Sequence, residues 1–130
     1  MSDTIKLFCP YCWAELDKEY DICPYCKSSL EEFMKLDFDE KLILGLSNPV
    51  TENRMFVIEV LGKRKVEKAV HKLCEMLFSQ RDTYELIEIV KTLYLISSNE
   101  AISCIKEARD KINNKILASF IEECLNELYQ

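Results

Sequence analysis

The apolar residues of this chain follow a helical spacing over most of its length. From residue 39 onward they recur every three or four positions, which is the pattern of amphipathic helices. Turn signals interrupt the pattern at Asn48-Pro49, Gly62, Ser79–Asp82, Ser97-Ser98 and Asn113-Asn114. The pattern therefore predicts about six helices, at residues 39–46, 50–62, 66–78, 82–96, 98–112 and 115–128.

Polar residues at two of these helix starts have the spacing of capping boxes. Asp82 precedes Glu85 by three residues, and Ser97 precedes Glu100 in the same way. Just before the first of the helices, residues 31–38 lack glycine and proline and mix charged with apolar side chains. We expect this segment to be a helical or otherwise stiff linker that packs on the helices after it.

The predicted helices repeat at a fixed interval. Residues 32 positions apart align as Leu61, Leu93 and Leu125, as Val57, Ile89 and Ile121, and as Ala69 and Ala101. Pairs of helices that recur with a period near this value are typical of α-solenoids. Because a short stack leaves apolar ends, self-association through the last helix, with Ile116, Phe120 and Leu128, is an open alternative to a monomer.

The composition agrees with a mainly α-helical protein. Of the 130 residues, 48% are hydrophobic, which is enough for a packed core, whereas only 2 are glycine and 3 are proline. We expect strands only near the N-terminus. No stretch approaches the roughly 20 apolar residues of a membrane span. The start of the chain, MSDTIKLFCP, lacks the pattern of a signal peptide, so we expect a cytoplasmic location.

The strongest chemical signal is a set of four cysteines near the start of the chain. Cys9 with Cys12, and Cys23 with Cys26, form two Cys-x-x-Cys pairs separated by ten residues. Thiolates at this spacing converge on one tetrahedral metal ion, and a structural Zn2+ is the usual occupant. A rubredoxin-like iron site and a redox-active dithiol are the alternatives. An odd total of seven cysteines and a reducing compartment argue against a disulfide framework.

The sequence around these cysteines, CPYCWAELDKEYDICPYCKSSL (residues 9–30), resembles the short zinc-ribbon family. Members of that family have a cysteine knuckle, a polar hairpin, and a second knuckle followed by a small residue and leucine. Trp13 and Lys27 stand where the family usually has glycine, which leaves the exact turn geometry open but not the ligands, because a non-glycine residue can occupy a left-handed conformation at a cost of about 1 kcal/mol. The resemblance implies a zinc ribbon over residues 1–30, with β-hairpin knuckles and one structural Zn2+ that contributes folding energy and no chemistry.

Large side chains are frequent in this segment. There are six, which is more than so small a module can bury. They are Phe8, Tyr11, Trp13, Tyr20, Ile22 and Tyr25. We expect some to cover the sulfurs and others to pack on the helical domain. The alternative is a recognition patch, in which Tyr11 and Tyr25, at matching positions of the two knuckles, would be the most exposed.

Residues 48–77 resemble a HEAT-like repeat. The matching positions are Asn48-Pro49 at the opening turn, Arg54 at the common arginine, Leu61-Gly62-Lys63 at the inner turn, and Ala69-Val70 with Leu73 on the second helix. Residues 80–109 and 112–129 fit more loosely, because they lack the glycine at the turn. The resemblance implies that residues 39–130 form a HEAT-like repeat domain, a short right-handed α-solenoid of about six helices that serves as an interaction scaffold.

Two enzyme classes share the HEAT-like architecture, but their site residues are not found in this sequence. The iron-dependent hydroxylases use repeated His-Glu pairs, whereas this chain has one histidine, His71, followed by Lys72. The base-excision glycosylases use an aromatic and acidic cleft, whereas the only tryptophan here lies in the ribbon. We therefore expect no enzymatic activity. His71 is interpreted as a surface or groove residue of its helix, and the remaining cysteines as small buried core residues, namely Cys74, Cys104 and Cys124.

The net charge of -6 disfavours binding to nucleic acid on average. The one concentration of basic residues falls at a predicted helix turn and comprises Lys63, Arg64, Lys65, Lys68 and Lys72. This set is interpreted first as a solvated turn at the C-terminal end of a helix dipole. Its alternative use is contact with an acidic partner or with RNA phosphate.

These observations favour a non-catalytic, zinc-containing adaptor that binds a protein partner, within a larger complex or alone. The second helices of the pairs, residues 66–78 and 98–112, would line a concave binding face. The ribbon would add a second contact through Tyr11, Trp13 and Tyr25. The alternative is a nucleic-acid- or ribosome-associated zinc-ribbon factor, in which these side chains stack on bases and the basic turn contacts phosphate.

Overall fold

The computed structural model describes residues 7–128 of the chain. They form two compact units, the first ending at Arg54 and the second beginning at Met55. The described residues are mainly helical, as predicted, with a small two-stranded antiparallel sheet near the N-terminus. Within residues 7–128, no helix combines the length and the apolar character needed to cross a membrane.

The first unit opens with a short ribbon and continues into helices. Strand β1 (Leu7–Phe8) pairs with the antiparallel strand β2 (Glu15–Leu16). Helices α1 (Leu30–Met34) and α2 (Phe38–Gly45) come next. Each helix begins at a side-chain cap, a serine or an aspartate that accepts a hydrogen bond from the amide three residues ahead. Most of α1 lies within residues 31–38, the segment expected to be a helical or stiff linker.

The second unit is a set of packed helices. It contains most of α3 (Thr51–Lys63), a 3-10 turn (Glu67–Ala69), α4 (Val70–Leu77), α5 (Thr83–Ile96), α6 (Asn99–Lys111) and α7 (Lys115–Leu128). Each helix predicted from residue 39 onward has a counterpart with ends within one residue, when the 3-10 turn and α4 are taken together. Helix α5 packs against α4, α6 and α7, and α4 also contacts α6. Helix α5 is therefore the centre of this unit.

The residues that recur at the 32-residue interval form the core of the second unit. Those that are at most 3% exposed are Leu61, Leu93, Leu125, Ile89, Ile121, Ala69 and Ala101. Val57 is half-buried. Seven of the eight residues at this interval are thus buried, because amphipathic helices turn their apolar positions toward the core.

The turn between α5 and α6 differs from its prediction by one residue. Ser97, expected to open a capping box with Glu100, instead ends α5 in a left-handed conformation with φ 56°. Its amide donates to the Leu93 carbonyl at 2.9 Å. Ser98 is the N-cap of α6 and accepts from the Ala101 amide at 3.1 Å. Both serines are suitable caps by type, and only the backbone path distinguishes them.

A buried ion pair joins α4 to α5. Asp82 caps α5 as predicted, accepting from the Glu85 amide at 2.8 Å. The Glu85 carboxylate accepts from Arg81 Nη1 at 2.7 Å, and the Glu85 residue is only 1% exposed. Arg81 Nε donates to the carbonyl of Met76 at 3.3 Å. The pair fixes the short connection between the two helices, because a buried carboxylate requires a cationic partner.

Gly62 lies inside α3, and not at a turn as the sequence pattern suggested. A Cβ atom at this position would lie 2.8 Å from Thr92 Oγ1 and 3.2 Å from Thr92 Cα, on α5. The Thr92 hydroxyl donates to the carbonyl of Ile58 at 2.8 Å. The glycine therefore allows α3 and α5 to approach closely. The turn after α3 is made at Lys65, which has φ 52°.

Cys74 of α4 and Cys104 of α6 are joined by a disulfide, with their Cα atoms 6.1 Å apart. Cys104 is buried, as expected, but Cys74 is only half-buried, and a disulfide between them was not expected from the sequence. They are 30 residues apart in the sequence, and only the packing of α4 against α6 brings them together. Cys124 is a free, buried cysteine, as expected.

Gly62→Ala should destabilise the second unit by about 1–3 kcal/mol, because the added methyl group overlaps the Thr92 side chain and approaches the backbone of α5. The measurement is the free energy of unfolding from urea titration followed by far-ultraviolet circular dichroism. Gly45→Ala is the matched control, since Gly45 is the other glycine of the chain and ends α2 in the first unit. Equal stability of Gly62→Ala and the unmodified protein would contradict the proposed close approach.

Candidate metal centre

Four cysteine sulfurs converge in the first unit. The Sγ atoms of Cys9 and Cys26 are 3.7 Å apart, and those of Cys12 and Cys23 are 3.8 Å apart. All four sulfurs lie within 4.8 Å of one another. A tetrahedral ion with metal–sulfur bonds of about 2.3 Å places its sulfurs roughly 3.8 Å apart. The donor set and its spacing therefore fit one tetrahedral metal ion, at the four residues that the sequence predicted.

The two cysteine knuckles direct backbone amides at sulfur in the same way. The Tyr11 amide donates to Cys9 Sγ, and the Tyr25 amide donates to Cys23 Sγ, both at 3.4 Å. Proline follows the first cysteine of each pair and has no amide hydrogen of its own, so the next residue supplies the donor. Amide hydrogen bonds of this kind stabilise thiolates and orient them toward a cation.

Each knuckle closes with a non-glycine residue in the left-handed conformation. Trp13 has φ 63° and Lys27 has φ 66°, so both adopt the left-handed conformation that a non-glycine residue can take at these positions. The Trp13 amide donates to the Cys9 carbonyl at 2.7 Å, and the Lys27 amide donates to the Cys23 carbonyl at 2.9 Å. The turn at each knuckle therefore brings its second cysteine back toward the first.

The pairing around the knuckles is also repeated. Phe8 pairs with Glu15 across the first knuckle, and Ile22 forms an isolated antiparallel bridge with Ser29 across the second. The internal repeat seen in the sequence is thus a repeat of backbone hydrogen bonds as well. Each half can therefore supply two of the four ligands of one tetrahedral site.

Hydrogen bonds and desolvation move the pKa values of Cys12 and Cys26 in opposite directions. A hydrogen bond from the Ala14 amide lowers the pKa of Cys12, but desolvation and the three neighbouring sulfurs together raise it to about 12. The Ser28 hydroxyl, which lies 3.3 Å from Cys26 Sγ, and the Ser28 amide lower the pKa of Cys26 to about 6. One thiolate therefore forms readily and opposes the formation of the next. A bound divalent cation removes that opposition and allows all four sulfurs to be thiolates.

The ribbon has a small core of its own. The buried residues are Cys9, Leu16 and Cys23, and the half-buried residues packed around them are Leu7, Tyr20, Cys26 and Leu30. Three of these seven residues are themselves candidate metal ligands. Modules with so few buried side chains usually depend on a metal ion or on disulfides for stability. A metal ion at this site would therefore supply folding energy.

The six large ribbon side chains divide into exposed and half-buried groups. Tyr25 is 68% exposed, Ile22 58%, Phe8 49% and Tyr11 36%, whereas Trp13 and Tyr20 are half-buried. The two knuckle tyrosines are thus not equivalent, although the sequence gives them equivalent positions.

Contacts within the first unit explain this division. Trp13 Nε1 donates to Ser47 Oγ at 3.0 Å, which ties the first knuckle to the end of α2. The Tyr11 ring meets the Phe33 ring edge to face, with centroids 6.2 Å apart. Tyr25 is the most exposed aromatic residue of the ribbon. Of the three aromatic residues predicted to bind a partner, Tyr25 is therefore the most available.

The five basic residues of the predicted turn lie in the second unit, at the end of α3, on the segment that leads into α4, and on α4 itself. All five are exposed. Lys63 lies 3.1 Å from Glu59, and Lys72 lies 3.9 Å from Glu75, so acidic neighbours offset part of the positive charge. His71 is a surface residue, as expected, and lies 3.0 Å from the same Glu75.

Ser28 belongs to the candidate metal centre, although the cysteine motifs did not indicate it. Ser28 acts on Cys26 through both its hydroxyl and its amide, and its carbonyl accepts from the Cys23 amide at 2.9 Å. Ala14 holds the matching position in the first knuckle, where its carbonyl accepts from the Cys9 amide at 3.0 Å. Ser28 therefore corresponds to Ala14 in the internal repeat. This difference between the two halves is the sequence signal that could have identified Ser28.

No protein-family model, curated protein or solved structure matches this chain. Its class therefore follows from the fold and the site alone. It is a mainly helical protein with a candidate four-cysteine metal centre near its N-terminus.

Cys9→Ala should abolish metal binding, because the three remaining sulfurs do not complete a tetrahedral thiolate site. We expect the metal content of the purified protein, measured by elemental analysis, to fall from about one ion per chain to nearly none. Trp13, the single tryptophan of the chain, is half-buried beside the cluster, so its fluorescence should shift to longer wavelength as the ribbon unfolds. Cys124→Ala is the matched control and should keep both the metal and the emission. A full metal content in Cys9→Ala would contradict the four-sulfur assignment.

Acidification should release the metal, because protons compete with the cation for sulfur. The Cys26 pKa is lowered to about 6 from its ordinary value of 9.0, so the stabilisation from its thiolate is complete above pH 9 and is lost as the pH falls through about 6. A bound cation favours the thiolates further, so we expect half-release below pH 6. A metal indicator dye and Trp13 emission report the transition, and half-release above pH 7 would contradict this prediction.

Proposed function

We propose that this chain is a non-catalytic cytoplasmic adaptor, in which a zinc ribbon and a short right-handed HEAT-like solenoid bind a protein partner. The observation that carries the proposal is a closed set of four sulfur donors, built from two equivalent knuckles. A second observation supports it, namely a helical unit whose buried positions repeat every 32 residues in the same chain.

The choice of zinc rests on the donors. Four thiolates with tetrahedral spacing suit Zn2+, and a site that uses four protein ligands leaves no open position for a substrate or water. The residues that would hold the ion are Cys9, Cys12, Cys23 and Cys26. In this proposal the ion stabilises the ribbon, and the chemistry of the protein is recognition only.

The solenoid interpretation is supported by the order of packing in the second unit. Helix α5 contacts α4 before it and α6 after it, and α4 and α6 contact each other although α5 separates them in sequence. Second helices that are neighbours in this way share one face of a solenoid, which is the usual binding face. The exposed residues of α4 and α6 include both charges, such as Lys72, Glu75 and Glu107. A face of mixed charge suits a folded protein surface better than a polyanion.

The test is recovery of the untagged protein from the cells that make it, at moderate and at high salt, with metal analysis of the same sample. We expect one stoichiometric protein partner that survives high salt, and one zinc ion per chain. RNA that co-purifies and is lost as the salt concentration rises would overturn the adaptor proposal in favour of a nucleic-acid factor. Recovery of the chain alone at both salt concentrations would also count against it.

Two pairs of variants locate the contact. Tyr25→Ala removes the most exposed ribbon aromatic, and Tyr84→Ala removes an equally prominent tyrosine of α5, outside the proposed surfaces. Glu107→Lys reverses a charge on α6, and Glu123→Lys does the same on α7. We expect at least a tenfold loss of partner affinity for Tyr25→Ala and Glu107→Lys, and little change for their controls. Equal effects of a variant and its control would remove that surface from the proposal.

A further inference from the structure

The Cys74–Cys104 disulfide is the covalent link between α4 and α6. Neither cysteine belongs to the metal cluster, whose four members are free. The chain thus combines four sulfurs arranged for thiolate ligation with one oxidised pair in a different unit. Thiolate metal sites and disulfides favour opposite redox conditions, since the first require reduced sulfur and the second an oxidant.

The disulfide lies within a core of buried apolar side chains. On either side of it along α4 and α6 lie side chains that are at most 2% exposed, namely Leu73, Met76, Leu77, Ala101, Ile105 and Ala108. A core of this kind holds two helices together by apolar packing, unlike the minimal cores of disulfide-dependent domains. The Cα atoms are 6.1 Å apart within this packing, so the two sulfurs meet when the helices are in place.

The two cysteines differ in access. Cys104 is 3% exposed, whereas Cys74 is half-buried and is therefore the more accessible residue of the pair. An attacking thiolate must approach a disulfide sulfur directly, and the accessible sulfur is the one that reacts. The arrangement gives Cys74 the role of the attacked residue and Cys104 the role of its partner.

We propose that Cys74 and Cys104 are a reversible oxidation site that exchanges with small thiol and disulfide couples of the glutathione class. In the reducing direction, a glutathione thiolate attacks Cys74 Sγ, the bond to Cys104 breaks, and Cys104 leaves as a thiolate that takes up a proton. A second glutathione thiolate then attacks the glutathione sulfur of the mixed disulfide and releases the Cys74 thiolate, which is protonated. The sum is one protein disulfide and two glutathione thiols converted into two protein thiols and one glutathione disulfide.

The consequence lies on the face formed by α4 and α6, and it rests on the proposed function. The oxidised pair fixes the spacing of these two helices, and the reduced pair leaves that spacing to apolar packing alone. Redox state therefore controls the rigidity of the proposed partner-binding face. A partner that needs a fixed face would bind the oxidised chain more tightly, because less conformational entropy is lost on binding.

The experiment is a redox titration of the full, zinc-loaded chain in buffers of graded glutathione to glutathione disulfide ratio, quenched with a maleimide. Mass spectrometry of peptides then maps each cysteine as thiol or disulfide, and elemental analysis follows the zinc. We expect Cys74 and Cys104 to change together, with a loss of two hydrogens on oxidation, at ratios that leave zinc fully bound. Starting from the oxidised or the reduced chain should give the same midpoint.

Three variants control the result. In Cys74→Ala and in Cys104→Ala the transition should disappear, whereas in Cys124→Ala, which removes a buried thiol of the same unit outside the disulfide, it should persist. Circular dichroism confirms that each variant is folded. Hydrogen exchange of α4 and α6 amides should be several-fold slower in the oxidised than in the reduced chain.

Four outcomes would overturn the proposal. They are a disulfide that persists at every glutathione ratio, thiols that persist at every ratio, oxidation that maps to the metal cluster with loss of zinc, and equal exchange rates in the two states. The titration needs no partner, so its failure would leave the adaptor proposal intact. The absence of a partner would likewise leave the titration unaffected.

Discussion

The convergence of four sulfurs within 4.8 Å sets the conformation of the ribbon. The two sulfurs of one knuckle come close together only if the backbone reverses within a few residues. These tight turns place Trp13 and Lys27 in the left-handed region. Each such residue costs about 1 kcal/mol, and the ribbon buries only a few side chains to offset that cost. The binding free energy of a structural Zn2+, about 10–16 kcal/mol in small modules, is several times larger. A metal ion bound by the four sulfurs would therefore more than offset the cost of the two left-handed turns.

The helical unit is stabilised mainly by the burial of apolar side chains. Full burial of a leucine or isoleucine contributes about 1.5–3 kcal/mol, and this unit buries many of them around α5. The disulfide, which closes a loop between residues 30 apart, adds about 3–4 kcal/mol on the chain-entropy estimate. It is thus one contribution among many, beside the apolar packing of α4 against α6. Apolar packing therefore stabilises the helical unit, whereas the ribbon has a candidate metal centre in place of a large core.

Much of this architecture could be predicted because its signals are local. Helix ends agreed to within one residue, since turn residues and apolar spacing act over only a few positions. The four cysteines were identified because two short motifs contain all the ligands. The errors occurred where a residue type has more than one use. Gly62 suggested a turn but serves a close helix contact, and Ser97 suggested an N-cap but ends a helix.

The sequence by itself determined the helices, the repeated core positions and the four sulfurs of the candidate metal centre, because each depends on residues close together in the chain. Only the tertiary structure decided that Cys74 meets Cys104, that Thr92 approaches Gly62, and that Tyr25 is more exposed than Tyr11. These facts depend on which surfaces pack together across 30 or more residues, or on neighbours such as Phe33 that no spacing rule associates with a knuckle. The physical reason is that hydrogen-bond and capping patterns are short-range, whereas packing partners are selected by the whole fold.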